Sequence, residues 1–138
     1  MWVLVVVGTC LFAATISAQT YNVLKAFNNS DGSTPYGGLL QASDGNLYGT
    51  TVYGGASGNC AYGCGTIFKI DTNGTFTTLY SFTGGSDGAN PYAGLIQATD
   101  GNLYGTTTFG GASNDGTIFK IDTSGSTFTT LHSFAGSD

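Results

Sequence analysis

Apolar residues in this chain come in short runs, and each run is bounded by glycine, asparagine or aspartate. Four runs follow one another in the first part of the chain, at residues 39–42, 47–52, 66–71 and 75–82. Between the first two runs stand Asp44 and Gly45, which tolerate the backbone conformation of a tight hairpin turn. Runs of this length between turn residues predict four antiparallel β-strands.

The third of these runs is apolar on both sides. In an extended strand Phe68 and Ile70 share one face, and Ile67 lies on the opposite face. Such a strand is typical of a sheet packed between two other layers rather than exposed to water on one side. The pattern therefore predicts a sheet with a neighbour on either side.

The whole pattern occurs twice along the chain. Residues 36–51 recur as residues 92–107 at a spacing of 56, and residues 65–71 recur as residues 116–122 at a spacing of 51. The difference of five is an insertion around residues 59–64. A period of this length fits a β-propeller blade and excludes the shorter coils of most solenoids.

The sequence therefore predicts an all-β fold of tandem four-stranded antiparallel repeats that resemble propeller blades. Within a repeat region at residues 19–138, the first repeat takes residues 28–82 and the second takes residues 83–134. Residues 135–138 begin a further repeat.

An orphan outer strand is predicted at residues 21–27, ahead of the first repeat. Its Leu24 and Phe27 match Leu79 and Phe82 of the first repeat, and the same pair recurs in the second repeat. Such a strand commonly completes the last blade of a closed propeller, which removes the free edge. Two full blades cannot close a ring, since propellers typically have about four to eight. We therefore expect a fragment of a closed propeller, whose further blades come from a longer chain or from self-association.

The first 18 residues resemble a secretory signal peptide. An apolar run is followed by small residues, and cleavage is expected after Ala18. The run has no Lys or Arg before it, and a membrane anchor is the alternative interpretation. The signal peptide predicts a secreted or cell-surface protein without membrane insertion after cleavage.

Charged residues are few, at 8% of the chain, and consist of eight Asp and three Lys. Three scattered lysines within a net charge of −5 cannot form the basic patch that nucleic-acid binding requires. The abundant Gly, Thr, Ser and Asn suit short strands and tight turns better than helices. We therefore expect no nucleic-acid partner.

Three strings carry a resemblance to a known family: Asp-Gly-Ala-Asn-Pro-Tyr at 87–92, Asp-Gly-Asn-Leu-Tyr-Gly-Thr-Thr at 100–107, and Gly-Thr-Ile-Phe-Lys at 116–120. They resemble the GloVer-type (Gloeo/Verruco) tandem repeat of secreted bacterial proteins. The Asp-Gly-Asn-Leu-Tyr-Gly-Thr core is also similar to sensor-type β-propeller repeats. The resemblance implies an extracellular repeat protein, often tethered through a C-terminal anchor, and it offers no family catalytic residues to carry over.

The ionisable residues show no pattern that indicates catalysis. Six of the eight aspartates and two of the three lysines recur at equivalent positions of the repeats, which favours turn, capping and strand roles. The aspartates do not form the Asp-x-Asp-x-Asp-Gly run of a calcium loop. His132 is the only histidine and replaces Tyr80 of the first repeat. We therefore predict no catalytic residues, no cofactor and no metal ligands.

Two cysteines, Cys60 and Cys64, lie in the insertion of the first repeat. Metal binding is the alternative for such spacing, but the sequence has neither a second pair nor a nearby histidine. In an exported chain a local disulfide between the two cysteines is favoured.

These observations together favour a non-enzymatic extracellular or cell-surface module that serves as a binding or structural scaffold. Its partner is expected to be a cell-surface glycan or a protein, held by the loops that connect the strands. The candidate contact residues in those loops are Tyr53, Tyr62, Phe109 and Asp115. The alternative is a fragment of a propeller enzyme that acts on a polysaccharide or a lactone.

Overall fold

A computed structural model describes residues 20–137 as eight strands in two four-stranded antiparallel sheets. The strands, in chain order, are β1 (Leu40–Gln41), β2 (Leu47–Thr51), β3 (Thr66–Ile70), β4 (Phe76–Ser81), β5 (Ile96–Gln97), β6 (Leu103–Thr107), β7 (Thr117–Ile121) and β8 (Phe128–Ser133). The sheet orders are β1-β2-β3-β4 and β5-β6-β7-β8, with equivalent registers in both. The predicted all-β fold of tandem four-stranded antiparallel repeats is confirmed. The propeller stays a prediction, because two sheets do not form a ring.

The β1–β2 turn explains the repeated Asp-Gly-Asn-Leu-Tyr string. One carboxylate oxygen of Asp44 accepts a 3.0 Å hydrogen bond from the Asn46 amide, and the other accepts a 2.7 Å bond from the Tyr48 hydroxyl. Gly45 adopts a φ of 82°, which glycine reaches without strain. Asp100 makes the equivalent bonds in repeat 2, so these aspartates fix turns, as the sequence predicts.

Repeat 1 packs one face of its sheet on repeat 2; we call this side of each sheet its following face and the opposite side its preceding face. In repeat 1 the following face carries Tyr48, Thr50 and Ile67, which are buried against repeat 2. The preceding face of repeat 1 carries Phe68 and Ile70. Repeat 2 covers the following face of this apolar strand, and Phe27 covers part of the preceding face through its contact with Phe68.

Aromatic rings from the end of repeat 1 form the core between the two repeats. Tyr80 stacks on Phe128 with ring centroids 4.0 Å apart, and Phe82 meets Phe119 edge-on at 5.3 Å. Phe82 and Phe119 are fully buried. Burying side chains of this size stabilises a fold by about 1.5 to 3 kcal/mol each, so this cluster is a principal source of cohesion between the repeats.

Residues 21–27 form no strand in the structure. A strand needs a hydrogen-bonded neighbour, and the predicted one belongs to a blade outside these two sheets. Phe27 nevertheless meets Phe68 edge-on at 5.2 Å, as Phe82 meets Phe119 in the next repeat. The segment therefore occupies the place of a fourth strand against repeat 1.

The predicted signal peptide, residues 1–18, lies outside the described residues. Over residues 20–137 the structure contains no helix long and apolar enough to cross a bilayer.

Candidate functional site

Four tyrosines on one edge of the two repeats lie in an unbroken row. The ring centroids of Tyr36 and Tyr92 are 5.8 Å apart, and those of Tyr53 and Tyr62 are 6.0 Å apart. The hydroxyl oxygens of Tyr53 and Tyr92 are 3.3 Å apart and share a hydrogen bond, which joins the two pairs. We call these four side chains the tyrosine row.

The tyrosine row is open to solvent. The exposed fractions are 70% for Tyr36, 42% for Tyr92 and 72% for Tyr62, and Tyr53 is half-buried. Tyrosine is amphipathic, and an exposed cluster of such rings on a small protein is typical of an interaction site.

Two kinds of loop bring the row together. Tyr36 and Tyr92 are equivalent residues in the segments that lead into β1 and β5. Tyr53 follows β2, and an isolated bridge pairs it with Ser33 of the leading segment. Gly54 comes next at a φ of 77°, where a β-carbon would lie 2.4 Å from the Asn29 carbonyl oxygen, so only glycine fits this close approach.

Tyr62 belongs to the insertion, which a disulfide closes. Cys60 and Cys64 are bonded to each other, with α-carbons 5.2 Å apart, as predicted. The carbonyl of Tyr62 accepts a 2.7 Å hydrogen bond from the amide of Gly54. These contacts hold the backbone of Tyr62 beside that of Tyr53.

The insertion also docks on the linker between the repeats. The side-chain amide of Asn59 donates a 2.9 Å hydrogen bond to the Thr83 carbonyl. A β-carbon on Gly84 would lie 2.9 Å from the Cys60 sulfur and 3.0 Å from the Cys64 sulfur. The disulfide is therefore packed directly on the linker, which fixes the loop relative to repeat 2.

The phenol of Tyr92 is suited to hydrogen bonding as a neutral group. The hydrogen bond with Tyr53 is the main cause that raises the pKa of Tyr92 above its ordinary value of 10.0. A neutral phenol both donates and accepts hydrogen bonds, as sugar hydroxyls do.

The structure brings together two of the four predicted contact residues, Tyr53 and Tyr62. Phe109 is exposed and occupies in repeat 2 the position of Tyr53. Asp115 is not part of the tyrosine row. One of its carboxylate oxygens is 4.0 Å from the place that a β-carbon on Gly136 would take. Whether these four residues contact a ligand stays a prediction.

Aromatic residues of repeated strands are usually core residues, and Tyr48 is fully buried. Tyr36 and Tyr92 are instead exposed members of the row. The signal that distinguishes them is the proline before each, at Pro35 and Pro91. Proline is disfavoured within a central strand, which places the following tyrosine in a linker.

Six of the seven aspartates within residues 20–137 accept local hydrogen bonds. Asp87 accepts bonds from the Thr83 amide at 2.7 Å and the Tyr80 hydroxyl at 3.1 Å, and Asp31 pairs with Lys25. A hydrogen bond from Ser124 is the main cause that lowers the pKa of Asp122. Over the same residues, no three His, Cys, Asp or Glu side chains are grouped closely enough to hold a metal ion.

Comparison with known proteins gives one family. No curated protein sequence matches the chain. The Gloeobacter/Verrucomicrobia repeat matches residues 7–138, which include both four-stranded repeats. This chain therefore belongs to the Gloeobacter/Verrucomicrobia repeat family.

Proposed function

We propose that this repeat module binds an extracellular neutral glycan through the tyrosine row. The observation that carries the proposal is the continuous contact of Tyr36, Tyr92, Tyr53 and Tyr62 on an exposed edge. The role is that of a binding scaffold, in which the sheets hold the rings and the rings contact the ligand.

The chemistry of the row matches a sugar better than a charged ligand. Each ring offers a flat apolar face for the C–H groups of a pyranose, and each hydroxyl offers hydrogen bonding at the ring edge. A tyrosine has only two side-chain torsions, so ordering it on binding costs little entropy. With a net charge of −5, the chain would repel a strongly anionic polysaccharide, which favours a neutral one.

The disulfide favours an extracellular location, where glycans of this class occur. The disulfide between Cys60 and Cys64 is stable under oxidising conditions, which prevail outside the cytoplasm. Glycans that are exposed on cell surfaces or released into the medium occur in the same compartment.

The test is binding of the purified chain to a panel of neutral polysaccharides, followed by calorimetry on the best ligand. Tyr36→Ala and Tyr62→Ala each remove a ring that is mainly exposed, so the fold is retained. We expect each to weaken binding by about 2- to 10-fold, the range for loss of one aromatic stacking contact. Tyr21→Ala is the matched control, because Tyr21 is 89% exposed and lies outside the row.

Three outcomes would contradict the proposal. The chain could bind no neutral polysaccharide, or the row variants could bind as well as the Tyr21→Ala control. Release of soluble sugar products by the wild-type chain would instead favour the alternative of a polysaccharide-acting enzyme.

A further inference from the structure

The following face of repeat 2 is uncovered. Thr50 of repeat 1 is buried and donates a 3.1 Å hydrogen bond to the Ala93 carbonyl of repeat 2. Its equivalent in repeat 2, Thr106, is exposed. Ile67 is likewise fully buried, whereas its equivalent Ile118 is only half-buried.

This uncovered face contains a shallow apolar groove of about 260 Å³. Ile96, Tyr104 and Ile118 lie along it, together with Gly94 and Gly105. The groove is therefore composed of the same residue types that repeat 1 buries against repeat 2.

The preceding face of repeat 1 is only partly covered. Leu39 is 55% exposed, whereas its equivalent in repeat 2, Leu95, is 6% exposed because repeat 1 packs on it. A groove of about 300 Å³ runs beside Leu39 and Phe68. This face is equivalent to the preceding face of repeat 2, which packs against the following face of repeat 1.

Repeat 2 also has a side chain placed to contact such a face, which is Phe134. The amide of Phe82 donates a 3.0 Å hydrogen bond to the Gly65 carbonyl, and the amide of Phe134 donates an equivalent 3.0 Å bond to the Gly116 carbonyl. Phe82 inserts between rings of the next repeat. Phe134 is held in the same way and would insert between Phe68 and Phe76 of another copy.

That position is already occupied within each copy. Phe27 lies 5.2 Å from Phe68 and 5.6 Å from Phe76, with ring inclinations of 64° and 84°. Phe82 makes the matching contacts with Phe119 and Phe128 at the same inclinations. Phe27 and the Phe134 of a second copy therefore need the same site.

We propose that the following face of repeat 2 binds the preceding face of repeat 1 in a second copy of this chain, and that residues 21–27 of that copy oppose the contact by occupying the Phe134 site. The contact continues the interface between repeats 1 and 2 with equivalent residues. Association therefore requires the 21–27 segment to leave its place.

The contact is heterologous, so it leaves one open face at each end of a dimer and adds copies until the assembly closes. Propellers close with about four to eight blades, which corresponds to two to four copies of a two-repeat chain. A mass of two, three or four chains is therefore the expected product.

The test is the mass of the purified full chain by light scattering over a range of concentrations, with four variants. Phe27→Ala removes the competing ring and should shift the association midpoint to an about 10-fold lower concentration, because more chains are competent to bind. Phe134→Ala and Thr106→Lys change the other side of the contact, at positions that are not buried in a single copy. Each should weaken association by about 10-fold or more.

Thr129→Lys is the control for added charge. Thr129 is exposed, and its equivalent Thr77 stays exposed even where a following repeat is present. Wild-type association in Thr129→Lys, with loss in Thr106→Lys, supports the proposal. A monomer at all concentrations in both wild type and Phe27→Ala would overturn it. Association that Thr106→Lys and Phe134→Ala leave unchanged would overturn it as well, and weaker association in Phe27→Ala would refute the competition.

Discussion

The side-chain amide of Asn90 donates a 2.8 Å hydrogen bond to the main-chain carbonyl of Val52, across the boundary between the two repeats. The main-chain amide of Asn90 donates a second 2.8 Å bond, to the Cys64 carbonyl. Asn90 is buried and adopts a φ of 55°, a left-handed conformation that asparagine tolerates better than most residues. One residue thus connects the linker to both ends of the β2–β3 loop.

We expect Asn90→Ala to lower the free energy of unfolding by about 2 to 4 kcal/mol. The substitution leaves the Val52 carbonyl without this partner and places an alanine β-carbon at positive φ. Asn90→Gly separates the two effects, because glycine accepts the conformation and loses only the side chain. Urea denaturation measures both variants. Equal stability of Asn90→Ala and wild type would show that the bond across the boundary contributes nothing.

Thr34 is the equivalent of Asn90 in the segment that leads into repeat 1. It adopts a φ of 60°, although a β-branched residue is strained in this region. We expect Thr34→Asn to raise the free energy of unfolding by about 0.5 to 1 kcal/mol, since asparagine adopts this conformation at lower cost. Thr34→Val keeps the branched shape and serves as the control. Equal melting temperatures for Thr34→Asn and Thr34→Val would contradict the expectation.

Reduction of the disulfide between Cys60 and Cys64 should destabilise the chain by about 2 kcal/mol, the chain-entropy value for a loop of this length. The same change should release Tyr62 from its place beside Tyr53, because the loop loses its covalent closure. Denaturation with and without reductant measures the first effect. A Cys60→Ala/Cys64→Ala double variant should be insensitive to reductant, and a drop in its stability on adding reductant would show that the agent acts elsewhere.

Stability should also fall at high pH. Burial, reinforced by the bond to Asp44, raises the pKa of Tyr48 to about 12, and burial beside Asp87 raises the pKa of Tyr80 to about 12. In the unfolded chain a tyrosine ionises near a pKa of about 10. Between about pH 10 and pH 12 the unfolded state therefore loses protons that the folded state retains, and the free energy of unfolding decreases as pH rises.

Urea denaturation between pH 8 and pH 12 measures this decrease. Tyr48→Phe removes one of these ionisations, so its stability should decline less steeply than that of wild type over the same range. Parallel declines in the two proteins would mean that Tyr48 has the same pKa in both states.

Much of the fold follows from local sequence chemistry. The turn at Asp44 is predictable because its carboxylate, Gly45 and Asn46 satisfy one another within a few residues. The disulfide is predictable because its two cysteines are close along the chain. The β1–β2 and β3–β4 pairings follow from such local turns, whereas a longer loop joins β2 to β3.

The tyrosine row is harder to predict because its members come from distant positions. The bond between Tyr53 and Tyr92 joins residues 39 apart in sequence. Whether such rings are buried or exposed depends on how repeat 2 is placed on repeat 1, and periodicity alone does not fix that placement. The strand that the sequence predicts at residues 21–27, and that the structure does not form, shows the same limit, because strand formation requires a partner that the local pattern cannot supply.

The insertion that carries Tyr62 makes the surface of repeat 1 different from that of repeat 2. A surface made of equivalent repeats offers the same contacts at every step, so a polymeric ligand can slide along it by one repeat at no cost. Repeat 2 has no counterpart of the loop that Cys60 and Cys64 close. A bound polymer would therefore meet a projecting ring at one step only, which sets both its register and its direction on the protein.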